Sequence, residues 1–156
     1  MRPFDRPSVV PVMALPADIN PRIVDSLYGE ALELADGLRA RFSREEPGEG
    51  PALRVALSCE GLRATTRTMH CLAWLLNHRA FFAGEISEFQ LRRHVRLPPP
   101  SPSGELAALP ADAAGLVRMS ERLYARVARL EAAWRRPDPH DPPSAIDRLR
   151  QRLAAR

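Results

Sequence analysis

Residues 51–84, PALRVALSCEGLRATTRTMHCLAWLLNHRAFFAG, decide the fold. Val55, Cys59, Leu62, Thr66, Met69, Ala73, Leu76 and Ala80 recur at alternating steps of four and three, the period of one helix face. Pro51 suits a first helical position. Gly84 suits the left-handed residue that ends a helix, with Ile86 placed to fold back on the last turn. The spacing therefore predicts a helix of about 32 residues, or ~48 Å.

The same stretch carries a second stripe: Leu57, Gly61, Ala64, Thr68, Cys71, Leu75, His78 and Phe82. At about 100° per residue it lies nearly opposite the first. A helix at the edge of a bundle is polar on its outer side. The first stripe is accordingly read as bundle core, and the second as a face that something else must cover. Its small residues would let another backbone come close. Two covers fit: the chain's own N-terminal arm with the short helix that follows Gly84, or a second copy of the chain in a symmetric dimer. The dimer is the expectation, with Leu57, Ala64, Thr68, Cys71, Leu75 and Phe82 as the dimer or partner face. Thr66 is expected to bond back to the carbonyl one turn earlier, its methyl in the core.

Working outward, Asn20-Pro21 marks a helix start, a cap followed by proline. Val24, Leu27, Ala31, Leu34 and Leu38 carry that helix to about Phe42. Ser43 to Pro51 reads as an acidic, glycine-bearing loop. Ser87 and Gln90 form a capping-box pattern for a short helix to about Arg93. Pro98, Pro99, Pro100 and Pro102 stiffen the linker after it. Ala113, Leu116, Ser120, Leu123, Val127, Leu130 and Trp134 define a third long helix, from near Pro110 to about Arg136. No strand pattern is present.

The reading is an all-α chain: residues 20–136 form an antiparallel three-helix bundle with a short extra helix after the second long one. Residues 1–19 form an extended arm, and residues 137–156 a flexible, proline-rich C-terminal tail. Ser144 would cap a short amphipathic helix in that tail. Ile146, Leu149, Arg150 and Leu153 are its candidate docking residues, a basic amphipathic peptide suited to a groove or an acidic surface.

A chain of 156 residues, 45% hydrophobic and 27% charged, is one ordinary globular domain. No apolar run approaches a membrane span. The first residues, broken by Pro3, Pro7, Pro11 and Pro16, make no export signal. Cys59 and Cys71 lie about 18 Å apart on one helix and cannot bridge. Free thiols without a signal point to the cytoplasm. All 23 basic residues are arginine, for a net charge of +4. Residues 21–51 hold four arginines and seven acids, whereas 52–97 hold seven and three, and 116–136 six and two. That alternation predicts ion pairing across the bundle more than a nucleic-acid surface.

Catalytic chemistry is not legible. His70 and His78 are eight residues apart, too far to share a metal. Both cysteines sit in apolar helical pattern, where thiols are inert. Glu60, Arg63 and Arg67 read as an ion-paired row. Gly48 and Gly50 lie among acids, the wrong surroundings for a phosphate. The expectation is a protein that is not an enzyme, with no cofactor, metal or small-molecule substrate.

The run Glu60-Gly61-Leu62-Arg63-Ala64-Thr65-Thr66-Arg67-Thr68-Met69, followed by Trp74-Leu75-Leu76, Arg79-Ala80 and Gly84-Glu85, resembles the alphaproteobacterial regulator of CtrA degradation (RcdA) family. The likeness rests on Glu60, Arg63, Thr65, Thr66, Arg67 and Trp74, and extends through Ser120 to Leu130. It implies a homodimeric three-helix bundle with a mobile tail. It also implies an adaptor that helps deliver cell-cycle regulators to the ClpXP protease, with ClpX and a receiver-domain protein as partners. An arginine-rich nucleic-acid-associated regulator is the alternative.

Overall fold

The computed structural model describes residues 19–44, 48, 50–94, 96–135 and 153. The N-terminal arm as far as residue 18 lies outside them, as do Ile146, Leu149 and Arg150 of the tail. Leu153 is described, helical and exposed. Among the described residues there are helices and no strands. The order is α1 (Pro21–Phe42), α2 (Pro51–Phe82), α3 (Glu88–His94), a 3-10 turn (Leu106–Ala108) and α4 (Ala111–Arg135).

Local chemistry sets the helix ends. Asn20 Oδ1 accepts the Arg22 amide at 2.9 Å, with Pro21 in the first turn. Gly84 takes φ +76°, and the Glu85 amide closes back on the Ala80 carbonyl at 2.9 Å, the left-handed stop expected at the end of α2. The capping box before α3 forms: Gln90 Oε1 accepts the Ser87 amide at 2.8 Å, and Ser87 Oγ accepts the Gln90 amide at 3.3 Å.

The long helices pack on one another around a single core. α1 buries Val24, Leu27, Ala31, Leu34 and Leu38; α4 buries Ala113, Val117, Ser120, Leu123, Val127 and Trp134. Ion pairs tie the acidic helix to the basic ones. Asp25 of α1 accepts from Arg79 of α2 at 2.8 Å, and Glu30 of α1 receives Arg126 of α4 on both oxygens, at 2.8 and 2.6 Å. Arg41, buried near the end of α1, donates to Asp112 at the start of α4 at 2.6 Å.

These contacts fix the directions and correct one expectation. Asp25 meets Arg79 and Phe42 lies against Gly61, so α1 and α2 are antiparallel. Glu30 meets Arg126 and Arg41 meets Asp112, so α1 and α4 are antiparallel too. Along α2 and α4, however, Arg67 meets Ser120 and His78 meets Trp134. Those two helices are parallel, so the bundle is not antiparallel throughout. Residues 96–110 make this possible by running back along α2 and α4 before α4 begins, from Leu97 beside Glu131 to Gly104 beside Glu60. A proline-stiffened extended segment covers such a distance at ~3.1 Å per residue.

The larger correction concerns the two faces of α2. Leu57, Gly61, Ala64, Thr68, Cys71, Leu75 and His78 are buried within the monomer and Phe82 is half-buried. The stripe assigned to a partner is the core. The stripe assigned to the core is outside: Val55 is 64% exposed, Leu62 69%, Met69 49% and Leu76 52%, with Cys59, Thr66 and Ala73 also exposed. Thr66 therefore makes no core contact. Thr68 makes the back-bond instead, to the Ala64 carbonyl at 2.9 Å. The close backbone approach inferred from small residues does occur, but the approaching helix is the chain's own. A methyl at Gly61 would stand 2.7 Å from the Phe42 ring of α1.

Candidate docking surface

The motif residues Glu60, Arg63 and Arg67 hold the return segment in the groove between α2 and α4. Buried Glu60 accepts the Gly104 amide at 2.8 Å and pairs with Arg63. The segment comes so close that a Cβ at Gly104 would lie 2.9 Å from Glu60 Oε1 and push that carboxylate aside. Buried Arg67 donates to Ser120 Oγ at 2.6 Å, the Ser101 carbonyl at 3.0 Å and Ser103 Oγ at 3.1 Å. Ser103 Oγ in turn donates to Glu121 at 2.5 Å. The far end of the segment is held by Tyr124, donating to the Pro98 carbonyl at 2.7 Å, and by Glu131, accepting the Leu97 amide at 3.0 Å. An extended strand of prolines has few amides of its own to satisfy, so side chains of α2 and α4 fix it.

Trp74 lies at the other end of the same seam. It stacks on His78 with ring centroids 3.6 Å apart, and His78 meets Trp134 edge-on at 5.5 Å. His78 Nδ1 donates to the Trp74 carbonyl at 2.9 Å, and burial pushes its pKa below the usual 6.5. Burial also pushes the Cys71 thiol up to about 12, so this cysteine is an inert core residue. Thr65 and Thr66 are exposed and contribute nothing to the core. Four of the six motif residues thus build the fold: Glu60, Arg63, Arg67 and Trp74.

What remains open to solvent is the outer face of α2. Val55, Leu62, Met69 and Leu76 follow one another at seven-residue intervals along about 32 Å of helix. A cleft of about 580 Å³ adjoins them between the second half of α1 and α2, lined by Ala35, Arg39, Phe42, Gly61, Leu62 and Met69 among others. A second cleft of about 430 Å³ lies at the opposite end, where Pro21 and Asp25 face Leu76, Arg79 and Phe82. The surface is a strip with hollows along one side. An apolar row of this length is unusual on a monomer.

Among the described residues, no group of three His, Cys, Asp or Glu side chains is placed to hold a metal, and no helix is long and apolar enough to cross a membrane.

The chain belongs to the DUF1465 family of proteins of unknown function, whose profile matches residues 16–156. No curated protein and no solved structure matches it. The family match covers the whole bundle and the tail, so the α2–α4 clamp and the outer face of α2 both lie within it.

Proposed function

We propose that this chain is a non-enzymatic adaptor or scaffold that acts in the cytoplasm by protein–protein contact, as a homodimer, and delivers cell-cycle regulatory proteins to the ClpXP protease. The observation that carries the reading is the outer face of α2, an apolar strip bordered by clefts and held on a helix braced from both sides. A strip of this kind offers contact area and shape. The resemblance of residues 60–87 to the RcdA family supplies the protease, ClpX and a receiver-domain protein as partners. The tail residues Ile146, Leu149, Arg150 and Leu153 are proposed as a second docking element on the proline-rich C-terminal segment.

The test is capture of the tagged chain from a nuclease-treated lysate of its native host, beside the Leu62→Glu variant. Recovery of ClpX, a receiver-domain protein or a cell-cycle regulator by the wild-type chain, reduced in the variant, supports the adaptor. Recovery of none of these, with binding that returns only when nucleic acid is left in, supports an arginine-rich nucleic-acid-associated regulator instead.

A further inference from the structure

We infer that residues 96–102, the proline-rich part of the return segment, are a docking ligand in polyproline II form, read from outside by a partner domain with an aromatic-lined groove and an acidic residue at one end. The inference goes beyond the adaptor reading, because it assigns a separate surface, away from the outer face of α2, and the kind of partner that surface fits.

Local chemistry fixes the conformation. Pro98, Pro99, Pro100 and Pro102 hold φ at about −65°. Leu97, Pro98, Pro99 and Ser101 each precede a proline, which keeps them out of the helical region. Such a run winds with three residues per turn. The bundle grips the segment with that same period. Tyr124 and Arg67 donate to the carbonyls of Pro98 and Ser101, three residues apart, at 2.7 and 3.0 Å. Leu97 and Ser103, two turns apart, face inward: Leu97 is buried, and Ser103 is half-buried between Arg67 and Glu121. Pro100 lies on that ridge between them and reaches solvent. The next ridge, Arg96, Pro99 and Pro102, is exposed along its length, as are Pro98 and Ser101 beside it. Two neighbouring ridges of the rod are therefore open while the bundle holds the third side.

The chemistry of those ridges selects the partner. Four prolines offer no amide, so a partner cannot pair with the segment as an added strand. What the ridges present is apolar ring surface and carbonyl oxygens, which aromatic side chains carrying a donor match. The bundle itself recognises the inner side in this way, with the Tyr124 hydroxyl on the Pro98 carbonyl. Arg96 gives the ligand a direction. It is exposed, pairs with no carboxylate among the described residues, and stands one turn before Pro99 and two before Pro102 on the same ridge. A carboxylate at one end of the groove takes such a guanidinium on both oxygens. Nucleic acid is the weaker occupant, since residues 96–102 carry a single cation. Holding the rod straight on the bundle also removes the ordering cost that a free proline-rich peptide meets on binding.

The probe is an SH3 domain selective for an arginine three residues before a Pro-x-x-Pro pair, titrated calorimetrically into the full-length chain. The expected result is one probe bound per chain. Pro99→Ala, Pro102→Ala and Arg96→Glu each weaken binding by about tenfold or more, while Pro100→Ala changes it by less than about threefold. Melting curves of all four variants stay close to the wild type's, since these positions are exposed. A synthetic peptide of residues 96–105 binds the probe more weakly than the chain does, because nothing holds it straight. No binding by the wild-type chain overturns the inference, for the ridges are then out of reach. Binding that survives Pro99→Ala combined with Pro102→Ala overturns it too, since another proline-rich stretch is then the ligand. A peptide that binds more tightly than the chain, or a Pro100→Ala effect as large as that of Pro99→Ala, would mean that the probe takes the segment only after it leaves the bundle, and overturns it as well. The titration does not involve ClpX. A chain that fails it yet captures ClpX loses the ligand and keeps the adaptor reading; a chain that binds the probe and captures none of the proposed partners does the reverse.

Discussion

Leu75 and Leu62 sit thirteen residues apart on one helix, both leucine, in opposite surroundings. Leu75 is fully buried and Leu62 is exposed. Leu75→Glu would place a carboxylate in the core without a partner, a change costing about 4 kcal/mol or more. Its expected outcome is loss of the cooperative thermal transition, whereas Leu62→Glu, on the exposed face, should keep that transition and lose only what pairing with a second copy contributes. Comparable melting curves for the two would put α2 the other way round. Glu60 is the residue of the clamp most open to test. Glu60→Ala removes the acceptor for the Gly104 amide and the partner of Arg63, at about 1–3 kcal/mol in a urea titration. Gly104→Ala should cost a similar amount through the close approach of its Cβ to Glu60. His78 adds a pH dependence. Burial first, and Arg135 after it, lower its pKa, while the Trp74 carbonyl bond and Glu131 raise it, and the net shift is downward. The unfolded chain then binds the proton more readily than the folded one. This group's contribution is complete above about pH 6.5 and is lost as pH falls through the folded value. Urea midpoints at pH 8 and pH 5.5 should differ in that direction, and His78→Phe should shrink the difference.

At the scale of elements, the helices and their ends were legible because their signals are local. Asn20-Pro21, Gly84 and the Ser87–Gln90 box each act within one turn, and each appears where the spacing puts it. The core stripes of α1 and α4 were legible because each of those helices has one apolar face. α2 has two, and periodicity alone cannot say which of two opposite faces turns inward. A usable signal was present. Glu60, Arg67 and Trp74 flank the inner stripe and His78 lies on it, and large polar and aromatic side chains so close together need neighbours to satisfy them. The parallel run of α2 and α4 was not legible, since nothing in either helix records direction; only the contacts between them, Arg67 with Ser120 and His78 with Trp134, reveal it. Arg67→Met should loosen that segment in particular. Amide hydrogen exchange would rise across residues 97–105 while α1 keeps its protection. Equal loss of protection in α1 would show that Arg67 supports the core as a whole.

At the scale of the whole molecule, one helix serves two roles. Its inner face closes the core with α1 and α4, and its outer face presents a repeating apolar strip with clefts along the α1 side. The adaptor reading depends on that division, because a strip consumed by the chain's own fold could not meet another protein. The tail makes a separate prediction. If Ile146, Leu149, Arg150 and Leu153 form a docking arm, deletion of residues 144–156 leaves the melting temperature unchanged while partner capture falls. A large drop in melting temperature would place them in the core instead. Light scattering on the full-length chain, beside Leu62→Glu, is the most direct measurement of the central claim. The account predicts twice the chain mass for the wild type and a single chain mass, with unchanged helicity, for the variant. A wild-type chain that is monomeric at micromolar concentration, or a variant that remains a dimer, would contradict it.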